Sequence, residues 1–510
     1  MTEETAFGID FGTTNTRIAY YDGQKLLLVP YYTPQGRHTQ IPSLVRFIGG
    51  TVSSFGHDAR VSPEGAFPPG PIKWLLDDDS DFDLDGFRLT SVEIVAEFFK
   101  CLKDVVRKSG IREPLDAAAF TVPVVFPARA RENLKRACEM AGIRMRQVFP
   151  EPVAALYGEL CSRGTRGMVA VCDWGGGTLD VAAVRIQAGV ALVKNQGGFA
   201  RGGDEFDGML VDYALEGFVR DHPACQFTPI DICQDPRRGP ELRLHAETAK
   251  IQLSAEPRAY VTHGDLLPGM DLDCEVRVEQ FEEWLRPHVD RAISTVRRVV
   301  GQTKTSPSRL LLSGGTCNIP CVRTRFEAEF GPDLVIFDFA VPYEMQMDSR
   351  GMADVGNATA LGAALLAIHG AEPVFARDLG VRLAGNADDG DGFYTVFRAG
   401  SPVRGQKITV PFFVTSAENG VARVLVADRL DPVFHPRGRL LRVIPIPIDR
   451  NEMWVDVHFA VDSLGTLRVE GSGRIARVES RGDGDAIHGV NLGYRLPSYR
   501  RPPEVPVDAI

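Results

Sequence analysis

No stretch of the 510-residue sequence is apolar for long enough to cross a bilayer. The opening Met1-Thr2-Glu3-Glu4-Thr5 carries acid where a secretory leader carries basic charge. A cytoplasmic address and no membrane partner are therefore expected. Basic charge is also scarce: 57 Lys and Arg stand against 67 Asp and Glu, a net charge of −10. No basic run interleaved with aromatics offsets it, which argues against a nucleic-acid partner. Cysteines are few and scattered, nine in all, with Cys101, Cys138 and Cys172 in apolar surroundings. Reduced, buried thiols are expected in place of a disulfide framework. Cys317 and Cys321 lie too far from other ligand types to suggest zinc. What remains is an ordinary soluble composition, 44% hydrophobic and 24% charged, in a chain long enough for three or four units.

Against that plain background one pattern occurs twice. Gly8-Ile9-Asp10-Phe11-Gly12-Thr13-Thr14-Asn15 and Val171-Cys172-Asp173-Trp174-Gly175-Gly176-Gly177-Thr178-Leu179-Asp180 each run from an apolar strand into Asp, then glycine, then hydroxyl residues. Glycine lets backbone N–H groups approach an anion closely and form a concave positive nest. An aspartate beside such a nest suits a hard cation, Mg²⁺, bridging protein and phosphate, with Asp10 and Asp173 as the metal-side carboxylates. One such turn is as readily an ordinary hairpin. Two, each followed by a further strand-like run (Thr16–Tyr21, Val181–Ile186), predict a duplicated domain with a nucleotide clamped between halves.

From Phe7 to about Gly370 strands alternate with amphipathic helices, the signature of an α/β fold. Thr90-Ser91-Val92-Glu93 reads as a capping box, and the helix after it presents Val92, Val95, Phe99, Leu102 and Val106 on one face. Thr121–Phe126 reads as a strand, with Pro127 opening a helix to Gly142. Leu310–Ser313 is a strand entering Gly314-Gly315, and Pro320 starts the next helix; a glycine turn there aims helix-end amides at a ligand. Glu247, Lys250 and Ser254 fall at i, i+3 and i+7, one face of a helix. After Gly370 the period changes to two, with strands at Ile408–Thr415, Ala422–Ala427, Arg439–Ile446, Trp454–Val461 and Thr466–Glu470. An antiparallel β domain is expected there. Asp81–Gly86 begins like a calcium loop, but Val92 stands where a bidentate glutamate is needed, so a solvated acidic loop is expected. Asp388–Gly392 reads as a hairpin turn.

In order along the chain these features resemble the seventy-kilodalton heat-shock chaperones of the actin-like ATPase superfamily. The resemblance covers nearly all of residues 6–370. Its carriers are the two glycine turns, Thr121-Val122-Pro123, Glu151-Pro152-Val153-Ala154-Ala155, Gly202-Gly203-Asp204-Glu205-Phe206-Asp207, 246–254, Gly314-Gly315 and Ala360–Ala364. The glycine turns alone also fit sugar kinases or actin relatives. Asp378-Leu379-Gly380, Pro402, Thr415–Asn419 and Phe459–Gly465 resemble the family's β-sandwich substrate domain. The resemblance implies a two-lobed actin-like ATPase domain at 1–371 and a β-sandwich at 376–472; the Gly-, Arg- and Pro-rich composition of 473–510, with Arg500-Arg501-Pro502-Pro503, predicts a flexible tail.

It further implies an ATPase that couples ATP or ADP to the binding of extended or unfolded polypeptide. A co-chaperone and a nucleotide exchange factor are the further partners it implies. Lys73 would contact the transferring phosphate and the attacking water, and Glu151 would position or deprotonate that water. Gly12, Thr13, Thr14 and Asn15, with Gly175, Gly176, Gly177, Gly202 and Gly203, would hold the phosphates, Thr14 and Thr178 through their hydroxyls. Glu247, Lys250 and Ser254 would face the adenosine, with Gly314 and Gly315 covering it from the other side. Pro123 and Arg131 match a pair that relays nucleotide state.

Several positions depart from the pattern. Asn318 replaces an arginine that stacks on adenine, Trp174 a leucine, and Val125 and Pro127 an aromatic and an asparagine. Glu372–Arg377 replaces an acidic, leucine-rich linker, and no long amphipathic helix follows the β domain, so a helical lid is not expected. The rival readings are a nucleotide-responsive scaffold with one dedicated protein client and, less favoured, a small-molecule kinase.

Overall fold

The computed structural model describes residues 5–336, apart from positions 24, 35, 63, 79, 124–125, 164–166, 188–189, 224–226, 236–237 and 304. Beyond these it describes 357–369, 372–375, 378–383, 393–398, 401–403, 407–413, 421–429, 439–447, 454–461, 467–473, 486–487 and 492–495. Val125, the hairpin turn expected at 388–392, the family-like run 415–419 and most of 459–465 lie outside the described residues, as do Ala376 and Arg377. The fold is mixed α/β with both parallel and antiparallel strand pairs. The chain divides into a unit of 1–183 with 195–368 and a unit of 184–194 with 369–510.

In the first unit, Ala6–Phe11 is buried along its whole length. It pairs in parallel with Ala117–Val122, which pairs in parallel with Arg144–Pro150, while Asn15–Tyr21 returns antiparallel on the other side. Full burial is why this strand reads as an apolar run and not as an alternation. The parallel part recurs in a second sheet, where Gly167–Trp174 pairs with Arg309–Ser313 and that strand with Val335–Ile336. In each sheet the Asp of a glycine turn ends, or nearly ends, the strand flanked by the parallel ladder.

Helix Ser91–Lys108 starts on the expected capping box, the Thr90 hydroxyl accepting from Glu93 N and Glu93 accepting from Thr90 N. Its face of Val92, Val95, Phe99, Leu102 and Val106 is buried in the first sheet's core. A separate core under the second sheet gathers Trp174, Phe206, Leu210, Phe281 and Leu312. Burying such side chains is the main source of stability, about 1.5–3 kcal/mol for each large one.

The acidic segment at 81–86 is a hairpin, not a loop: Asp81–Leu84 pairs with Phe87–Thr90 through Asp85 and Gly86 at φ 57° and 79°. Positive φ at both central residues is the Asp-Gly turn that closes a two-residue hairpin. The side chains of the acidic run serve that turn, with Gly86 N donating to Asp83.

In the second unit the period-2 reading holds in detail. Along Trp454–Val461 the residues Val455, Val457, Phe459 and Val461 are buried and alternate with more exposed neighbours. Two four-stranded antiparallel sheets, one containing Asp378–Arg382 and Val421–Arg429 and the other Lys407–Phe413 and Trp454–Val461, contribute side chains to one apolar core. The stretch expected to be a loose tail carries two strands. Ala486–Ile487 pairs with Leu467–Arg468, and Leu492–Arg495 lies between Glu372–Phe375 and the pair Val190–Ala191. Unsatisfied backbone groups at sheet edges account for their order in so Gly- and Pro-rich a segment. Among the described residues no helix is long and apolar enough to cross a membrane.

Candidate functional site

Eighteen of the nineteen residues put forward from the sequence line one cavity of about 480 Å³ within the first unit. They are Asp10, Gly12, Thr13, Thr14, Asn15, Lys73, Glu151, Asp173, Gly175, Gly176, Gly177, Thr178, Gly203, Glu247, Lys250, Ser254, Gly314 and Gly315. Gly202 does not line it. An added Cβ there would fall 2.3 Å from Gly175 O and 2.5 Å from Gly176 O, so this glycine admits the loop's backbone from behind instead of meeting a ligand. Pro123 and Arg131 lie just past strand Ala117–Val122 and in helix Ala128–Met140, away from the cavity lining.

The acid end is built by convergence of distant segments. Lys73, on the short helix Ile72–Leu75, places Nζ 2.8 Å from Glu151 Oε1 at the start of helix Glu151–Arg163, both side chains nearly inaccessible. The Phe126 ring lies 5.7 Å from the same ammonium and adds a cation–π contact. Asp10 is fixed by the Thr121 hydroxyl, which donates to its Oδ1 at 2.8 Å from the neighbouring parallel strand. The buried Lys73–Glu151 pair is costly to break, because removing one partner strands the other charge in low dielectric.

The two glycine turns touch. The Thr14 hydroxyl of the first donates to Asp204 Oδ1 at 2.8 Å, and an added Cβ on Gly176 of the second would sit 1.9 Å from that hydroxyl. Behind the second turn, helix Gly203–Asp221 holds the loop: Gly203 N donates to Gly175 O at 3.1 Å and Asp204 N to Gly176 O at 2.8 Å. The Thr316 hydroxyl donates to Gly175 O as well, at 2.8 Å. Ser43 fixes the first turn, donating from Oγ to Gly12 O at 2.8 Å. Gly314 has φ 88°, and an added Cβ would meet Trp174 O at 2.3 Å, so only glycine fits that strand-to-turn step. Trp174 itself is core: fully buried, edge-on to Phe206, its indole N–H donating to Arg201 O at 3.2 Å.

At the other end, helix Arg238–Leu253 supplies Glu247 and Lys250. Glu247 is engaged by Arg60 of helix Gly56–Val61, whose Nη2 lies 3.1 Å and 2.9 Å from its two oxygens. Lys250 Nζ donates to Gly203 O at 3.0 Å and to Asp207 at 2.8 Å. Asn318 also lines the cavity here, its Oδ1 accepting from Arg323 at 2.8 Å.

Charge is crowded. Burial drives the Glu151 carboxyl well above the usual carboxylate range; Lys73 opposes this, while Asp180, Asp10 and Asp173 add to it. Asp173 is likewise pushed up by burial and by Asp10 and Asp180, with Lys73 and Arg17 pulling down. Burial lifts Asp207 to about 7 against the pull of Lys250. Burial also weakens the proton affinity of Lys250, but Asp207 and Glu247 outweigh it and the net shift is upward. The 2.8 Å contact favours a charged pair at neutral pH, with the carboxyl taking up the proton as pH falls.

Oxygen donors of like charge facing one cavity fit a divalent cation, which offsets the repulsion that raises Asp173 and Glu151. Among the described residues no cluster of three or more His, Cys, Asp or Glu forms a metal cage. Arg17, Gln40 and Thr359 also line the cavity, and Phe126, Thr121, Ser43 and Asp204 position it; of these only Thr121, in the run Thr121–Pro123, and Asp204 stood within a family-like motif. Asp204 stood inside the Gly202–Asp207 run, which was the available signal.

Fold and site together define a mixed α/β protein with two linked glycine turns around an acid-lined cavity. A family model described as Hsp70 protein matches residues 76–336, just over half of the chain. The chain belongs to the Hsp70 family, whose members are chaperone-type, nucleotide-binding proteins. Glu151, the second glycine turn, Glu247, Lys250 and Gly314 fall within the match; Asp10, the first turn and Lys73 precede it and join the site through geometry.

Proposed function

We propose that this chain binds and slowly hydrolyses ATP and couples nucleotide state to the binding of extended polypeptide, as a cytoplasmic chaperone-like protein. On this reading 1–371 is a duplicated actin-like ATPase domain and 376–472 a β-sandwich for the client, with a co-chaperone and an exchange factor as further partners. The observation that carries it is the convergence of Lys73, Glu151, Asp10, Asp173 and both glycine turns on one cavity in a member of this family.

Phosphoryl transfer to water needs positioning and charge neutralisation more than covalent chemistry. Amides of Gly12–Thr14 and Gly175–Gly177 cradle the phosphate chain, and the Thr14 and Thr178 hydroxyls reach the terminal phosphate. The Lys73 ammonium, desolvated and held by Glu151, offers positive charge where negative charge develops. Glu151, with its raised proton affinity, orients the attacking water and accepts its proton. Asp10 and Asp173 would hold Mg²⁺, two carboxylates being enough for an ion that keeps several of its waters. When bound, the ion neutralises phosphate charge. Glu247, Lys250 and Ser254 face the nucleoside.

A scaffold that binds ATP but hardly turns it over is the second reading, favoured by Asn318 in place of a stacking arginine. Phosphate release measured with and without a permanently unfolded polypeptide separates the two. Stimulation supports the chaperone; tight binding with turnover near background supports the scaffold. Absence of nucleotide binding contradicts both.

A further inference from the structure

Asn318 closes a short 3₁₀ turn, Gly315–Asn318, pinned by Cys317 N donating to Gly314 O at 3.1 Å and Ile319 N to Thr316 O at 3.2 Å. The buried Cys317 thiol donates to Ser313 O at 3.0 Å, so the turn is anchored from below. Arg323 then grips it from the next helix: Nε donates to Cys317 O at 3.0 Å and Nη2 to Asn318 Oδ1 at 2.8 Å. A guanidinium has donors only, so the amide atom that meets it must be the oxygen. That fixes the flip of the side chain and leaves Nδ2, with two N–H donors, on the other side. Among the described residues Nδ2 donates to no protein group.

The remaining polar side chains at this end are committed. Glu247 is held by Arg60, Lys250 by Asp207 and Gly203 O, and the Ser254 hydroxyl leans on Lys250 O at 3.4 Å. Ile251, Ala255 and Ile319 give the cavity apolar wall there. An amide is too small to cover the face of a purine as a guanidinium does, but it can donate in the plane of the ring.

We propose that Asn318 is a specificity-determining residue that reads the edge of the nucleobase through its Nδ2 donors, with Arg323 as the positioning residue that fixes the amide. This rests on the nucleotide reading of the cavity. The group recognised is a ring nitrogen or carbonyl oxygen on the base edge, and a base presenting C–H or N–H at that place is disfavoured.

The test is equilibrium binding of ATP and its 1-deaza, 3-deaza and 7-deaza analogues to the full chain, each analogue replacing one ring acceptor with C–H. One analogue is expected to bind roughly 3- to 10-fold more weakly than ATP, the value of one neutral hydrogen bond, and Asn318→Ala should erase that gap. Asn318→Asp keeps an oxygen for Arg323 but sets acceptor against acceptor, so ATP should weaken by roughly 10- to 100-fold. Arg323→Ala should shrink the analogue gap, which a purely structural role would leave alone, and Arg323→Lys should restore part of it. If ATP binds while all three analogues match it, or Asn318→Asp binds all four nucleotides like the parent, the assignment is wrong although the nucleotide reading survives. If none of the four binds, both fall.

Discussion

At Gly176 an added methyl would lie 1.9 Å from the Thr14 hydroxyl and 2.6 Å from Asp204, whereas at Gly315, across the same cavity, it would meet nothing within 4 Å. The contrast runs through the whole site. At the acid end, positions are fixed by backbone packed on backbone and by buried charges that hold one another. At the Glu247–Asn318 end they are fixed by side chains gripping side chains, Arg60 on Glu247 and Arg323 on Asn318. At the second end Asn318, where the family pattern has arginine, sits in the Gly315–Asn318 turn and is held by Arg323.

The largest effect that distinguishes the ends is Lys73→Ala. It should lower ATP turnover by at least about 100-fold, as loss of a preorganised transition-state contact does. It should also destabilise the protein by about 3–5 kcal/mol, because Glu151 is left buried without its partner. Phosphate release and urea unfolding check the two parts, and pairing Lys73→Met with Glu151→Gln should recover stability but not turnover. Unchanged turnover would remove Lys73 from the chemistry.

Gly176→Ala against Gly315→Ala comes next. The first should cost roughly 1–3 kcal/mol by overpacking and weaken ATP binding, while the second should stay within about 0.5 kcal/mol of the parent. Equal losses at both would show that the two ends do not differ in tolerance. Thermal unfolding and nucleotide titration read both variants.

Arg60→Ala releases Glu247 at the looser end. The partly exposed pair contributes about 1 kcal/mol or less, so the expected result is a several-fold faster release of a fluorescent nucleotide with little change in turnover. A slower or unchanged release rate contradicts a holding role for the pair.

A further contrast is in pH. Asp207 is held above its unfolded value, so its native form binds the extra proton. The contribution of this one carboxyl to the stability of the nucleotide-free chain is therefore fully present below about 4 and is lost as pH rises towards about 7. Asp207→Asn should flatten that slope by a few kcal/mol at most. A slope of the opposite sign, read by unfolding at stepped pH, overturns the assignment.

How much of this was legible in the sequence follows from what is local. An Asp-Gly-Thr turn after an apolar strand states its own backbone geometry, so both turns and their strands were readable. The alternation along 454–461 told both period and face. Contacts across long separations were not readable: no spacing links Lys73 to Glu151 or Thr14 to Asp204, and only the resemblance proposed the first. Phe126 and Arg17 carry no local signal because they matter through the neighbours the fold supplies. Gly202 looked like its neighbour Gly203 in sequence, but only geometry separates a glycine that admits backbone from one that faces a ligand. The Asp85-Gly86 hairpin was hidden by a calcium-loop resemblance, and Leu492–Arg495 by a composition that speaks for disorder until a sheet edge is at hand.

The central claim is that two carboxylate-bearing glycine turns jointly grip a metal–nucleotide complex. Calorimetric titration of ATP, with Mg²⁺ or with chelator, into the parent chain and into the doubly substituted Asp10→Asn/Asp173→Asn chain tests it most directly. The expected result is saturable binding by the parent that weakens sharply on chelation, and a variant that is folded but insensitive to Mg²⁺. Binding of equal strength and equal metal dependence in both chains would contradict it.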